Sequence, residues 1–248
     1  MTVGREARPR YGGSVLITDL LTDRVRRDGS APLLTCYDVG AGSRTELSAT
    51  TFANWVAKAS NLAVDELDLD AGNPVAVPLL REAPGHWMSL VWVMALWVTG
   101  AHPRLVAPGE DAGAVAVVGP AAVADPDAVT AGTVLACSLH PLGLGFREPL
   151  PAGWVDWSTE VRSQPDRFAG VPPTPELPAW AEPELVLTQD ELVTQSGVAD
   201  RVLVRPGDPW PTVAAALVRP LIGGGSAVVV TGGTDADLDR IRAEENVA

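Results

Sequence analysis

The stretch PVAVPLLREAPGHWMSLVWVMALWVTGAHPRLVA, residues 74–107, decides the fold. Its first seven residues are mostly apolar and predict a buried strand. The run at 87–98 is more apolar still, yet it is too short to cross a bilayer, which takes about 20 residues, and we interpret it as a buried helix. A short strand follows near 104–107. A strand, a helix and a second strand in succession indicate an α/β protein.

Similar elements extend this pattern on both sides. Residues 32–38 and the RTELS segment after them predict a hairpin, and Ser48 can cap an amphipathic helix over roughly 49–66. Strands of near-continuous apolar character are typical of a sheet that helices cover on both faces. We therefore predict an α/β fold, three-layer αβα, with one mostly parallel sheet. The strands expected in it are residues 75–80, 114–118, 133–138, 201–204 and 227–230.

A proline-rich segment interrupts the alternation. Residues 141–183 hold nine of the 22 prolines and show no period. A disordered linker is one interpretation, but the segment also carries large aromatic side chains that need burial: Trp154, Trp157, Phe168 and Trp180. We favour an ordered strap without long helices or strands, in which Trp154 or Trp157 is mostly buried.

The length of 248 residues fits one large domain or two small ones. We predict a single α/β domain over residues 1–248: a first βα segment at 14–140, the strap at 141–183, and a second βα segment at 184–248. A core of this size can be stable without disulfides or metals. Cys36 and Cys137 have no spacing that suggests either.

Composition bears on partners and location. With a net charge of −13, the chain should repel nucleic acid and anionic membranes. Residues 1–13 lack the apolar run of a signal peptide, so we expect a cytoplasmic protein. Arginine far outnumbers lysine, which indicates a high-GC coding bias. The one lysine, Lys58, lies in the predicted 49–66 helix, where we expect it to be solvated.

A glycine turn near the end of the chain has the shape of a phosphate-binding turn. Gly232 and Gly233 follow a predicted strand and precede a helix N-terminus. Asp235 and Asp237 in the first helical turn would repel phosphate and suit a helix cap better. The chain has no GxGxxG, no GxxxxGK[ST] and no GxSxG. We interpret the turn as structural.

The three histidines are the other candidates for chemistry. His86, His102 and His140 lie near the ends of predicted elements and could meet above a sheet edge. Their spacing forms no metal-ligand pair. An enzyme of unrecognised type that uses one of them is an open alternative.

Two stretches resemble the adenylate-forming (AMP-binding, acyl-CoA synthetase-like) superfamily. In residues 14–101, the RTELS segment, a long helix, a strand and a helix ending in TGA resemble the opening of those enzymes. In residues 188–247, LTQDELV and DRVLVRPGDPWPTVAAALVRPLIGGGSAVVV resemble the helix and the unit that follow their phosphate loop. The whole chain resembles a truncated, degenerate actinobacterial relative of the N-terminal region of that superfamily, which implies its α/β fold.

The resemblance stops short of the ATP machinery. The superfamily has a loop of the form TSGTTGxPKG where this chain has LPAWAEPELVLTQDEL, with no Gly, Ser or Lys before Thr188 and with Gln189 for the usual histidine. We expect the aromatic YGxTE motif, the ribose-binding aspartate, the hinge and the lysine-bearing C-terminal domain to be lacking too. A triphosphate and its transition state need cations and N–H groups. No catalytic, cofactor-binding or metal-binding residue of the superfamily can therefore be assigned, and no cofactor is expected.

These observations leave three functional hypotheses. The first is a pseudoenzyme, a catalytically inactive remnant that binds a partner protein or a small molecule. The second is a nucleotide- or acyl-binding protein that keeps a pocket at the carboxyl ends of the strands. The third is the enzyme of unrecognised type.

Overall fold

The structure, a computed structural model, describes residues 15–107 and 109–247. In this part of the chain the strands are β1 (Pro32–Asp38), β2 (Ser43–Ser48), β3 (Pro74–Ala76), β4 (His102–Arg104), β5 (Asp111–Val118), β6 (Thr130–Ala136), β7 (Val155–Asp156), β8 (Pro178–Glu182), β9 (Leu185–Thr188), β10 (Arg201–Val204) and β11 (Ser226–Thr231). The α-helices are α1 (Ile17–Asp28), α2 (Ala49–Asp65), α3 (Leu79–Glu82), α4 (Trp87–Thr99), α5 (Pro120–Ala124), α6 (Trp157–Glu160), α7 (Gln189–Leu192), α8 (Pro209–Val213), α9 (Arg219–Gly223) and α10 (Asp235–Glu244). A π-helical turn, Ala214–Val218, joins α8 to α9.

The larger sheet has seven strands in the order β7-β6-β5-β3-β4-β8-β9. Neighbouring strands are parallel except for β8 and β9, which form an antiparallel hairpin at one edge. Its central strands carry buried apolar residues, such as Val75 in β3 and Val117 in β5, as is typical of a sheet that helices cover on both faces. The α/β class with a mostly parallel sheet is thereby confirmed.

The expectation that all of the strands share one sheet is wrong. β10, β11, β1 and β2 form a second, four-stranded sheet in that order. β1 pairs in parallel with β11, with Leu34 opposite Ala227, although almost the whole chain separates them. Residues 201–204 and 227–230 therefore lie in this smaller sheet. An apolar sequence pattern predicts that a strand is buried, but it does not predict which sheet the strand joins. Sheet membership depends on pairing with strands that are distant in the sequence.

Helix α4 forms the centre of the core. Nearly every side chain from Trp87 to Thr99 is buried, as the apolar run predicts, and α1 and α2 pack against it. His86 caps its first turn, and Gly100 ends it with a left-handed φ of 80° that glycine adopts at little cost. No helix among the described residues is both long and apolar enough to span a membrane.

Trp157 packs the strap onto α4 and α2. Trp157 is fully buried, and its ring centroid lies 5.6 Å from that of Trp55 and 5.9 Å from that of Trp87. Trp154 is only half-buried. The predicted burial of one of these two tryptophans is confirmed, because Trp157 fills a site among aromatic rings that would otherwise face water.

Lys58 is not solvated, contrary to expectation. Its ammonium group donates hydrogen bonds to the carbonyls of Arg162 and Gln164 and forms an ion pair with Asp166 at 3.1 Å. The neighbouring Asn61 donates to two further strap carbonyls. The polar face of α2 therefore anchors the strap. Sequence periodicity alone predicts that this face of the helix is exposed to solvent.

Helix α10 is fixed to the smaller sheet by a buried carboxylate. Glu245 accepts hydrogen bonds from Tyr37, Arg44 and Arg201. These partners hold the pKa of Glu245 at about 2, well below its usual range, against the desolvation that opposes ionisation.

Candidate functional site

A cavity of about 320 Å³ lies where the two sheets meet. The carboxyl ends of β1 and β11, the start of β2, the loop before α4 and the turn after β6 form its wall. We call it the inter-sheet cavity. The carboxyl ends of parallel strands are the usual place for ligands in open α/β sheets. Its lining residues are Cys36, Tyr37, Asp38, Ala41, Ser43, Thr45, Glu82, Ala83, Pro84, Gly85, His86, Leu139, Pro141, Pro206 and Thr231.

His86, the N-cap of α4, lies in the wall of the cavity. Its Nδ1 accepts a hydrogen bond from the Met88 amide at 3.2 Å, and the ring also hydrogen-bonds the backbone of Leu139. Burial lowers the pKa of His86 to about 4, so the ring is neutral at pH 7. Because both contacts are with the backbone, the ring acts as a structural element of the wall.

Cys36 faces the same loop from β1. Its thiol donates to the Gly85 carbonyl at 3.5 Å, and burial raises the pKa of the thiol to about 12. The group is therefore protonated at neutral pH and is a poor nucleophile. Gly85 permits this close packing, since a Cβ there would lie 2.6 Å from Val229 and 2.8 Å from Pro206.

A tight turn at residues 139–144, where the strap begins, supplies another part of the wall. Leu139 has a φ of 58°, a left-handed conformation that is strained for a leucine. Thr45 donates to the Pro141 carbonyl at 3.0 Å, and Arg162 donates to the Gly143 carbonyl at 2.9 Å. The surrounding contacts hold this turn, and with it Leu139 and Pro141, against the cavity.

Two carboxylates provide the charges of the cavity. Asp38 uses one oxygen to accept from the Ala41 amide at 2.9 Å. Glu82 accepts from the Ala121 amide at 3.1 Å, and burial raises its pKa. Among residues 15–107 and 109–247, no lysine or arginine contributes to the lining. The electrostatic character of the cavity is therefore negative.

The three histidines do not converge. His86 lies in the cavity wall, whereas the His140 ring accepts from the Leu142 amide within its own turn and is not part of the lining. His102 begins β4 and so lies at the amino end of its strand, buried in the structure. In a parallel sheet the amino ends of the strands lie opposite their carboxyl ends, where the cavity is. His102 is therefore separated from the other two histidines.

The segment in place of the superfamily's phosphate loop is a tight hairpin. β8 and β9 pair up to Glu182 opposite Leu185, so only Pro183 and Glu184 form the turn. A two-residue turn leaves no loop of free amides to surround phosphates. Its two glutamates add negative charge.

The residues that follow this hairpin have structural roles. Thr188 and Glu191 form a capping box at the start of α7, which is only four residues long. Gln189 is fully buried, and its amide donates to the Trp97 carbonyl at 3.3 Å. Gln189, which the sequence resemblance aligns with the superfamily's histidine, is therefore part of the core.

The glycine turn before α10 also has a structural role. Gly232 and Gly233 adopt left-handed φ values of 71° and 83°. Thr234 and Asp237 form a capping box, in which the Thr234 hydroxyl accepts from the Asp237 amide and the Asp237 carboxylate accepts from the Thr234 amide. The Asp237 carboxylate at the helix N-terminus would repel a phosphate, which agrees with the structural interpretation.

A second cavity, of about 400 Å³, adjoins the first. We call it the α5 groove. Val106, Ala122 and Val129 contribute to its mainly apolar lining, and Arg81 donates from Nε to the Val106 carbonyl. Glu82 lines both cavities.

Comparison with known proteins first defines the class. No family model matches the chain. The chain is similar to the solved structure of an acyl-CoA synthetase from Brucella canis, with a TM-score of 0.71 over 94% of this chain and 15% sequence identity. It spans 46% of the length of that protein. The fold is therefore that of a part of an acyl-CoA synthetase.

Sequence similarity then gives the family. A TIGR03089 family protein from Mycobacterium tuberculosis (strain ATCC 25618 / H37Rv) is 34% identical to this chain over 239 residues. The match covers 92% of this chain and 94% of the relative. The chain belongs to the TIGR03089 family. The resemblance to part of an adenylate-forming enzyme is supported by the shared fold.

Proposed function

We propose that this chain binds a small molecule in the inter-sheet cavity and does not adenylate it. The observation that carries the proposal is the cavity itself, at the carboxyl ends of the parallel strands of β1 and β11. Its walls are mainly apolar, with hydroxyls of Ser43, Thr45 and Thr231 among the lining groups. Small-molecule sites in proteins combine an apolar lining with a few polar groups in this way.

The charges of the cavity argue against a nucleotide as its ligand. Stabilising a triphosphate takes cations and free backbone amides. Asp38 and Glu82 would instead repel the phosphates, and the hairpin turn at Pro183 and Glu184 offers no phosphate loop. An uncharged or positively charged ligand fits this environment better. The nucleotide-binding alternative is correspondingly the weaker one.

The chemistry of the lining favours binding over catalysis. The Cys36 thiol is protonated at neutral pH, and the contacts of His86 are with the backbone. A general base must reach the proton it removes, and a nucleophile must be activated by a neighbour. These features support a pseudoenzyme. A cytoplasmic location, an actinobacterial source and a partner protein are further parts of the proposal.

Thermal melts with hexanamide test the binding role. We expect a saturable rise in Tm with the wild-type protein. Ala41→Trp places an indole at the cavity wall and should abolish the rise. Ala152→Trp, at an exposed position outside the cavity, should leave it unchanged. Hexanamide is an uncharged probe with an apolar tail and one polar group, matching the lining.

Two results would contradict the binding role. One is the absence of saturable stabilisation by hexanamide, hexanol or hexylamine. The other is stabilisation that Ala41→Trp and Ala152→Trp affect equally, which would place the probe elsewhere. Each variant is first checked for a native circular dichroism spectrum, so that loss of binding is separated from loss of fold.

A further inference from the structure

One wall of the inter-sheet cavity belongs to a segment that joins neither sheet. Leu139 and Pro141 line the cavity, and both lie in the irregular stretch between β6 and β7. Resting on the proposed binding role, we propose that residues 138–145 form a lid that opens to admit the ligand and closes over it. We call this segment the cavity lid. The proposal goes beyond binding because it specifies how a ligand reaches the cavity.

Both ends of the cavity lid are fixed to the larger sheet. The amide of Cys137, just after β6, donates to the Val118 carbonyl of β5 at 2.9 Å. The amide of Phe146 donates to the Asp156 carboxylate of β7 at 2.8 Å. Among the described residues, no backbone–backbone hydrogen bond connects 138–145 to the rest of the protein. The lid can therefore move about its two ends while the sheets stay in place.

Side chains hold the cavity lid in its closed position. Thr45 donates to the Pro141 carbonyl at 3.0 Å, and Arg162 donates to the Gly143 carbonyl at 2.9 Å. The ring of His86 hydrogen-bonds the backbone at the start of the lid. Each such bond is weak in net terms, because water replaces it when it breaks. These three side chains therefore act as latches that thermal motion can release.

The closed position is strained, and it leaves apolar surface in water. Leu139 has a φ of 58°, a left-handed conformation that costs a leucine free energy. Leu142 is 74% exposed and Leu144 is 45% exposed. Leu142 directly follows Pro141, which lines the cavity, so contact with an apolar ligand can remove part of this surface from water. Such contact gives the ligand a preference for one position of the lid over the other.

The reactivity of Cys36 reports the position of the lid without any ligand. Cys36 lines the cavity, whereas Cys137 is fully buried beside the fixed end of the lid. Alkylation by iodoacetamide at pH 8.5, followed by peptide mass spectrometry, gives a separate rate for each thiol. Arg162→Met and Thr45→Val each remove one latch. Each should raise the rate at Cys36 roughly fivefold, as expected for the loss of one hydrogen bond, and leave the rate at Cys137 unchanged.

A matched control removes a similar bond elsewhere. Arg219 is exposed and donates to the Ser196 carbonyl, outside the cavity, so Arg219→Met should leave both rates at their wild-type values. Wild-type labelling of Cys36 in either latch variant would overturn the lid. Equal acceleration at Cys36 and Cys137 would also overturn it, because that result indicates a general loosening of the fold.

The lid and the binding role fail in different measurements. Labelling of Cys36 needs no ligand, so either of those results would overturn the lid while stabilisation by hexanamide that Ala41→Trp abolishes would keep the binding role. Latch-dependent labelling without any binding of hexanamide, hexanol or hexylamine would leave a movable lid and overturn the binding role. If both hold, saturating hexanamide should slow the labelling of Cys36 in the wild-type protein.

Discussion

The ammonium group of Lys58 lies 3.1 Å from the carboxylate of Asp166, and this ion pair joins helix α2 to the proline-rich strap. Two strap carbonyls accept hydrogen bonds from the same ammonium group. Arg162, whose carbonyl is one of them, in turn donates to Gly143 in the turn beside the inter-sheet cavity. The only lysine of the chain therefore helps to position a wall of the candidate site.

Lys58→Met should loosen the strap without unfolding the domain. Loss of the ion pair and of the hydrogen bonds should lower the free energy of unfolding by about 1–2 kcal/mol. Trypsin should then cleave the native protein faster after Arg162 and Arg167. Arg26→Met, which removes an exposed pair with Asp23, is the matched control and should leave cleavage of the strap unchanged. Equal resistance of wild type and Lys58→Met would show that other contacts suffice.

Trp157→Ala should be far more destabilising than Trp154→Ala. Trp157 is fully buried among Trp55, Trp87 and Trp92, whereas Trp154 is half-buried. Truncating a fully buried tryptophan costs about 3–5 kcal/mol. Urea unfolding at equilibrium measures both variants. A similar, small cost for the two would mean that the strap contributes little to stability.

Glu245→Gln should destabilise the protein more at neutral pH than in acid. The pKa of Glu245 is about 2 in the folded chain and about 4.5 when unfolded. A lowered pKa stabilises the fold above pH 4.5, and this contribution is lost as the pH falls from 4.5 towards 2. We expect a cost of about 2 kcal/mol at pH 7, between the values of exposed and buried pairs.

The pH dependence of the destabilisation by Glu245→Gln distinguishes an effect of charge from an effect of packing. Urea titrations at pH 7, 4 and 3 should show the difference between wild type and Glu245→Gln shrinking in that order. Glu244→Gln is a suitable control, because Glu244 forms only an exposed pair with Arg240 on α10. A difference that stays constant down to pH 3 would mean that packing, rather than charge, is what the substitution changes.

Magnesium-ATP should neither stabilise the protein nor be consumed by it. The hairpin turn at Pro183 and Glu184 and the carboxylates of the cavity provide no phosphate site. A ligand at 100 times its Kd would add about 2.7 kcal/mol of stability. Melts with millimolar magnesium-ATP should show almost no shift in Tm, and pyrophosphate exchange should be absent with any carboxylic acid. A reproducible shift of several degrees, absent with phosphate at matched ionic strength, would reveal a surviving nucleotide pocket.

Local sequence signals predicted the individual elements of this fold well. The hairpin of β1 and β2, the Ser48 cap of α2 and the apolar helix α4 all lie where the sequence places them. Such features depend on periodicity and capping, which act over a few residues. The strand predicted at residues 75–80 is too long, since Leu79 and Leu80 belong to α3 rather than β3. An apolar run fits a buried strand and a buried helix equally well.

The sequence by itself determined the α/β class, the capped helices and the burial of a tryptophan in the strap. The tertiary structure decided that the strands form two sheets, that Lys58 holds the strap, and that Asp38 and Glu82 share a cavity. The reason is physical. Propensity, periodicity and capping are set by neighbours along the chain, whereas strand partners, ion pairs and cavities depend on which distant segments pack together.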